Sequence, residues 1–169
     1  MNDELDRTTA VSSPGLEEAI LYAKKYLEDL LSFLGLNTDV YATHEDEVIK
    51  LNIPSTQMNG FLIGQHGDNM RAMQFLVSNA LKNQGHEHSR VNVDVAGYKQ
   101  QRADRLAKTA EEWVRQVQGS GEAMELKPMN AADRRIIHKL ANDAGLTTES
   151  IGEGRERRVV LHPAGKPES

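Results

Sequence analysis

An α+β protein built from two small domains is what this sequence specifies, and three observations lead there. The chain has 169 residues, enough for one ordinary domain or for two of roughly 80 residues each. Helix-period and strand-period segments alternate, first as helix–strand–strand–short helix–helix–strand and then as helix–strand–helix–strand–strand. Each group holds enough amphipathic helix to cover one face of a small antiparallel sheet. The expected boundaries are a disordered tail at 1–12, a first domain at 13–97, a second at 98–162 and a disordered tail at 163–169.

Residues 1–12 are polar and aperiodic. Ser13-Pro14 then starts a helix, a hydroxyl at the N-cap and a proline where its missing N–H costs nothing. Leu16, Ile20, Ala23, Leu27, Leu30, Leu31 and Leu34 recur at helical spacing until Gly35 ends the run. Thr38–Thr43 and Glu47–Ile53 alternate as two strands of a hairpin turning at His44-Glu45-Asp46. Pro54 closes the second strand. After a short apolar segment at Phe61-Leu62-Ile63, a helix runs from Asn69 to Asn83 with Met70, Met73, Leu76, Val77, Ala80 and Leu81 as its apolar stripe and Asp68 as its cap. Arg90–Tyr98 alternates with Val91, Val93 and Val95 on one face, a strand with one wet side.

The second group opens on a long helix at Lys99–Val117. Its inner stripe is Ala103, Leu106, Ala107, Ala110, Trp113, Val114 and Val117, with Lys99, Arg102, Arg105 and Lys108 on other faces. Gln118-Gly119-Ser120-Gly121 breaks it. A strand at Ala123–Lys127, a helix at Asn130–Asp143 and strands at Thr147–Ile151 and Arg157–His162 complete the chain.

Charge and composition narrow the function. Net charge is −5, which argues against coating a polyanion by bulk charge. Residues 1–60 hold 4 Lys and Arg against 11 Asp and Glu, whereas 61–169 hold 16 against 14, so the acidic first third hides a mildly basic remainder. With no cysteine, disulfides, thiolate catalysis and Cys-ligated metals are excluded. No apolar run of ~18 residues is present to span a membrane, and the acidic N-terminus does not read as a secretory signal, so the expected location is the cytoplasm. His86-Glu87-His88 lacks a third ligand cluster and reads as loop, so no metal and no cofactor is expected. There is no nucleophile–base grouping, no Walker loop and no paired carboxylates, so the chain reads as a non-enzyme with no small-molecule substrate.

Two motifs carry chemistry. Gly64-Gln65-His66-Gly67 stands between an apolar segment and an amphipathic helix. Glycines bracketing two polar residues let backbone N–H groups face outward at a helix mouth, where they hold phosphate without a side-chain charge. In isolation G-x-x-G more often marks a simple turn, and the strand pair before it, the apolar Phe61-Leu62-Ile63 and the helix and strand after it are what raise it to a candidate site. The second motif is Arg134 and His138, four apart on one helix and so on one face. Arg134 offers a fork of donors suited to phosphate oxygens, and His138 can donate or stack. Arg135, Arg157 and Arg158 add charge nearby, although consecutive strand residues point opposite ways, so at most one of the last two shares a surface with Arg134.

The segment Gly60–Leu76, with its G-x-x-G loop, resembles the KH domain of the bacterial Jag family, also called KhpB or SpoIIIJ-associated proteins. A helix ahead of the strands matches the type II KH order. Leu126–Leu140, with Arg134 and His138, and Gly152–Leu161 resemble the Arg-x-x-x-His domain that follows KH in those proteins. The resemblance covers roughly 16–162 in the family's domain order, and the family's usual N-terminal domain and linker are expected to be missing. One departure is Gln65-His66, where KH loops often carry Arg or Lys between the glycines.

The resemblance implies single-stranded RNA binding by the KH loop (Gly64, Gln65, His66, Gly67, Arg71) and by the second domain (Arg134, Arg135, His138, Arg157, Arg158). It also implies a cytoplasmic RNA chaperone or post-transcriptional regulator influencing cell shape and cell-wall growth. A small KH-only protein, or a second copy joined through KH, is the implied partner. The alternative is a protein-interaction adaptor of the cell-envelope machinery in which RNA contact is incidental, a reading that the neutral loop and the acidic first third favour.

Overall fold

The computed structural model describes residues 14–165. The N-cap at Ser13, the tail at 1–12 and the last four residues of the C-terminal tail lie outside the described residues. The chain divides between Gly97 and Tyr98 into two compact units.

In the first unit the order is α1 (Pro14–Phe33), β1 (Tyr41–Glu45), β2 (Val48–Ile53), α2 (Asn59–Ile63), α3 (Asp68–Asn83) and β3 (Val91–Val95). The leucine and alanine spacing of α1 buries Leu16, Ala19, Ala23, Leu27 and Leu31 on one stripe. That stripe packs beside α3, whose buried residues are Met70, Met73, Val77 and Leu81. Both helices rest on one face of the sheet, supplied by Ile49, Leu51 and Ile53 of β2 and Val91, Val93 and Val95 of β3. Alternation along each strand leaves Lys50, Asn52, Asn92 and Asp94 out of this core.

Three expectations change here. The sheet, of order β1-β2-β3, is mixed rather than antiparallel: β1 and β2 form an antiparallel hairpin, while β2 and β3 run parallel with Leu51 opposite Val93. The 37 residues from 54 to 90 carry α2 and α3, and such a helical crossover is what a parallel pair requires. The hairpin turns at Asp46-Glu47, not at His44-Glu45-Asp46, because Asp46 takes a left-handed φ of +52° that aspartate tolerates better than most residues. Asp68 does not cap α3. It is the first residue of the helix and turns to Arg71, leaving Gly67 at the N-cap position with no side-chain acceptor.

The second unit runs α4 (Tyr98–Ser120), β4 (Met124–Glu125), α5 (Ala131–Asp143), β5 (Thr147–Ile151) and β6 (Arg158–His162). Its sheet is antiparallel, of order β4-β6-β5. Ala110, Val114 and Val117 of α4, Ile137 and Ala141 of α5, and Val159 and Leu161 of β6 form one core, with Trp113 and Met129 partly buried against it. Arg102 does not fall on an outer face of α4. It is half-buried because Asp133 of α5, on the same stripe as Ile137 and Ala141, draws the guanidinium inward.

Candidate functional site

Two polar sites are built, one in each unit. In the first, Gly64 has φ +70° and closes α2, its N–H bonded to Gly60 O at 3.0 Å. A Cβ at Gly64 would stand 2.7 Å from Asn69 Cγ and 2.9 Å from the Asn69 backbone nitrogen, so no other residue fits this close approach. Asn69 uses the space: its Nδ2 donates to Phe61 O at 2.7 Å and ties the start of α3 back to α2. His66 and Gly67 follow with φ of +52° and +84°. Gln65 and His66 are exposed, Gly64 is half-buried and Gly67 is buried. The first turn of α3 carries no side-chain cap, so the positive end of its dipole stands beside an exposed loop.

Arg71 belongs to this loop. One guanidinium nitrogen donates to His66 O at 3.1 Å and the other pairs with the Asp68 carboxylate. The cation therefore braces the loop from below the turn, and the carboxylate of Asp68 stands at the same helix mouth. Sequence reasoning makes Asp68 a cap and does not reveal that it holds Arg71.

In the second unit Asn130 caps α5, its Oδ1 accepting from Asp133 N–H at 3.0 Å. Helical spacing then brings Arg134 and His138 to one face, both half-buried, with Arg135 exposed. Arg134 Nη1 donates to Met129 O at 2.8 Å, and Met129 N–H donates to Arg157 O at 3.1 Å, which brings the exposed Arg157 next to this corner. Arg158 is not brought there. It alternates with the core residues Val159 and Leu161 on β6, so it leaves the opposite face and pairs with Glu125.

His138 is held from β5, which sequence reasoning missed. Thr148 Oγ1 lies 2.7 Å from its Nδ1 and Ser150 Oγ lies 2.8 Å from its Nε2. Burial pushes the imidazole pKa down, and the Arg134 guanidinium lowers it further. The signal was available: Thr148 and Ser150 are polar residues at alternate positions of a strand packed on a helix, a pattern that asks for a polar partner.

Among the described residues no group of three or more His, Asp or Glu is placed to hold a metal. His86 instead packs its ring against Tyr22, with centroids 5.4 Å apart. No helix of the described residues is long and apolar enough to cross a membrane.

The family of Arg-x-x-x-His domains, named for that motif, matches residues 104–163, a span that includes Arg134, His138, Thr148 and Ser150. The chain is 34% identical over 146 residues to RNA-binding protein KhpB of Lactiplantibacillus plantarum, a match covering 86% of this chain and 45% of that protein. It is 28% identical over 160 residues to RNA-binding protein KhpB of Clostridium symbiosum, covering 87% and 72%. Against RNA-binding protein KhpB of Bacillus subtilis it is 26% identical over 147 residues, covering 85% and 70%. The chain thus spans less than half the length of the first relative and about seven-tenths of the other two. The second unit therefore carries an Arg-x-x-x-His domain, and along most of its length the chain is similar to proteins named RNA-binding protein KhpB.

Proposed function

We propose that this chain binds single-stranded RNA without chemical turnover, through a type II KH domain in its first unit and through the Arg-x-x-x-His domain in its second. The observation that carries the reading is the family match over residues 104–163, on whose α5 Arg134 and His138 share a face. The name RNA-binding protein, borne by the relatives, supports the same class of ligand.

Support for the KH assignment is the element order α1-β1-β2-α2-α3-β3 with Gly64–Gly67 at the α2–α3 junction. In a KH domain this loop clamps the backbone of about four nucleotides. Here Gln65 and His66 are exposed beside the start of α3, whose first turn has no side-chain cap, and Gly64 lets the phosphate approach the backbone. Arg134, with Arg135 and Arg157 beside it, supplies the second phosphate-binding surface. Two modest sites on one chain gain through effective concentration, so one strand that reaches both is held far better than either site alone holds it.

In the cell this reading makes the chain a cytoplasmic RNA chaperone or post-transcriptional regulator influencing cell shape and cell-wall growth. A small KH-only protein or a second copy is its partner. A second reading, an adaptor of the envelope machinery, draws on the exposed Phe33, Phe61 and Phe75 at 90%, 54% and 65%, apolar surface of the kind that protein partners cover.

Fluorescence anisotropy with a short single-stranded RNA separates them. The RNA-binding reading expects saturable binding, weakened by the pair Gln65→Asp with His66→Asp and independently by Arg134→Ala. Binding that ignores both changes supports the adaptor.

A further inference from the structure

His138 is the hub of a directional hydrogen-bond chain. Beyond its contacts to Thr148 and Ser150, Thr148 Oγ1 lies 3.4 Å from Asn142 Oδ1. Thr148 and Ser150 leave the same face of β5, two residues apart, opposite the core residues Leu161 and Val159.

Each hydroxyl has one proton to give. Thr148 directs its proton to Asn142 Oδ1, which has none to return, so Thr148 accepts from His138 and the imidazole hydrogen sits on Nδ1. A neutral imidazole carries only one such hydrogen. Nε2 is therefore bare and takes the proton of Ser150. The donors run in one direction, from Ser150 to His138 to Thr148 to Asn142, a tautomer assigned from the network of partners.

Two consequences follow from that direction. His138 keeps no ring nitrogen to donate to, or accept from, a ligand. Ser150 has committed its only proton inward, and its remaining lone pairs can only accept. The side chain is half-buried, and His138 is its hydrogen-bond partner among the described residues.

We propose that Ser150 is a specificity-determining acceptor of the second unit's site, receiving a hydrogen bond from a donor group of the bound nucleotide, with His138 as the positioning residue that orients it. This rests on the RNA-binding reading and deepens it. Arg134, one turn from His138, is the complementary element: its guanidinium suits an anionic phosphate oxygen, whereas an acceptor-only oxygen suits an O–H or N–H. A nucleotide offers such donors as the ribose 2′-hydroxyl, the amino group of a base and the ring imide N–H of uracil or guanine.

The test uses the full chain and four labelled single strands of equal length: oligouridine, its 2′-deoxy counterpart, oligoadenosine, and the same strand bearing purine without the 6-amino group. Ser150→Ala lowers affinity roughly three- to tenfold for the strand bearing the matching donor and leaves the strand lacking it unchanged. Loss on every strand except the 2′-deoxy one assigns the 2′-hydroxyl, loss on oligoadenosine alone assigns the amino group, and loss on both uracil-bearing strands alone assigns the imide N–H. Ser150→Thr, which keeps the hydroxyl, retains the selectivity. So does His138→Gln, whose amide oxygen can accept from Ser150, whereas His138→Leu abolishes it. Equal weakening of all four strands by Ser150→Ala, or no weakening, overturns the proposal while the RNA-binding reading stands. Failure of the unmodified protein to bind any strand overturns both.

Discussion

Arg102 and Asp133, 31 positions apart, lock the start of α4 to the start of α5 through a forked ion pair. Arg102 Nε lies 3.1 and 3.2 Å from the two Asp133 oxygens, Nη2 joins Oδ2, and Nη1 donates to the Tyr98 hydroxyl at 2.9 Å. Asp133 is 4% exposed, and its carboxylate raises the guanidinium pKa still further above its ordinary value. The next residue along α5 is Arg134, so the clamp sets the root of the site.

Breaking one side of this pair strands a buried charge. Arg102→Ala, or Asp133→Asn, lowers stability by about 2–4 kcal/mol, read as an earlier urea midpoint. An unchanged midpoint in both variants shows that the pair is incidental.

Gly64 is the conformational keystone of the first site. Gly64→Ala must drive a Cβ into Asn69 and hold φ at +70°, a strain of about 1–3 kcal/mol concentrated in the loop. The expected readout is faster amide exchange around Gln65–Asn69 together with an earlier thermal midpoint. Asn69→Ala, which removes only the bond to Phe61 O, produces a smaller loss of about 1 kcal/mol. Protection that survives Gly64→Ala contradicts the steric account.

Acid weakens the second unit through His138. Its folded pKa lies below the unfolded value, so the unfolded chain takes up the proton first as pH falls. Its contribution is complete above about pH 6.5 and is lost as pH drops from there through the folded pKa. Scanning the thermal midpoint from pH 7.5 to pH 5 shows a decline that His138→Gln flattens. Parallel declines in both proteins mean that other groups carry the acid sensitivity in this window. Carboxylates held down by cations, such as Glu45 beside Lys50, act lower, below their ordinary range.

Asp68 opposes an anion at the first site because it occupies Arg71 and places a negative charge at the α3 mouth. Removing the charge with Asp68→Asn frees the guanidinium and raises RNA affinity roughly threefold, the scale of one exposed charge pair. The gain disappears when Gln65 and His66 are both aspartate. Reduced affinity in Asp68→Asn shows that the Asp68–Arg71 pair shapes the loop instead.

Helices were the most legible features, because leucine and alanine spacing alone sets which side of α1 and α4 is buried. Strand direction was not, since Val48–Ile53 reads the same in parallel and antiparallel pairs and only the long crossover distinguishes them. Both site motifs stood out as residues, yet their neighbours did not. Asp133 sits on the apolar stripe of α5, and a carboxylate there announces a buried cation whose identity, Arg102, lies in another helix. The alternate spacing of Thr148 and Ser150 asks for a polar partner, but that the partner is His138 depends on β5 packing against α5, which local pattern does not contain. The pairing of Arg158 with Glu125 required the β4–β6 register.

The most direct test of two phosphate-binding surfaces on one chain is the salt dependence of single-stranded RNA binding, measured with the unmodified protein, the Gln65→Asp/His66→Asp pair and Arg134→Ala. Log K falls linearly with log salt at about −0.7 per phosphate neutralised, and Arg134→Ala makes the slope shallower by about that amount. The aspartate pair lowers affinity at every salt concentration tested. A flat salt response in the unmodified protein, or slopes and affinities that neither variant alters, contradicts the account.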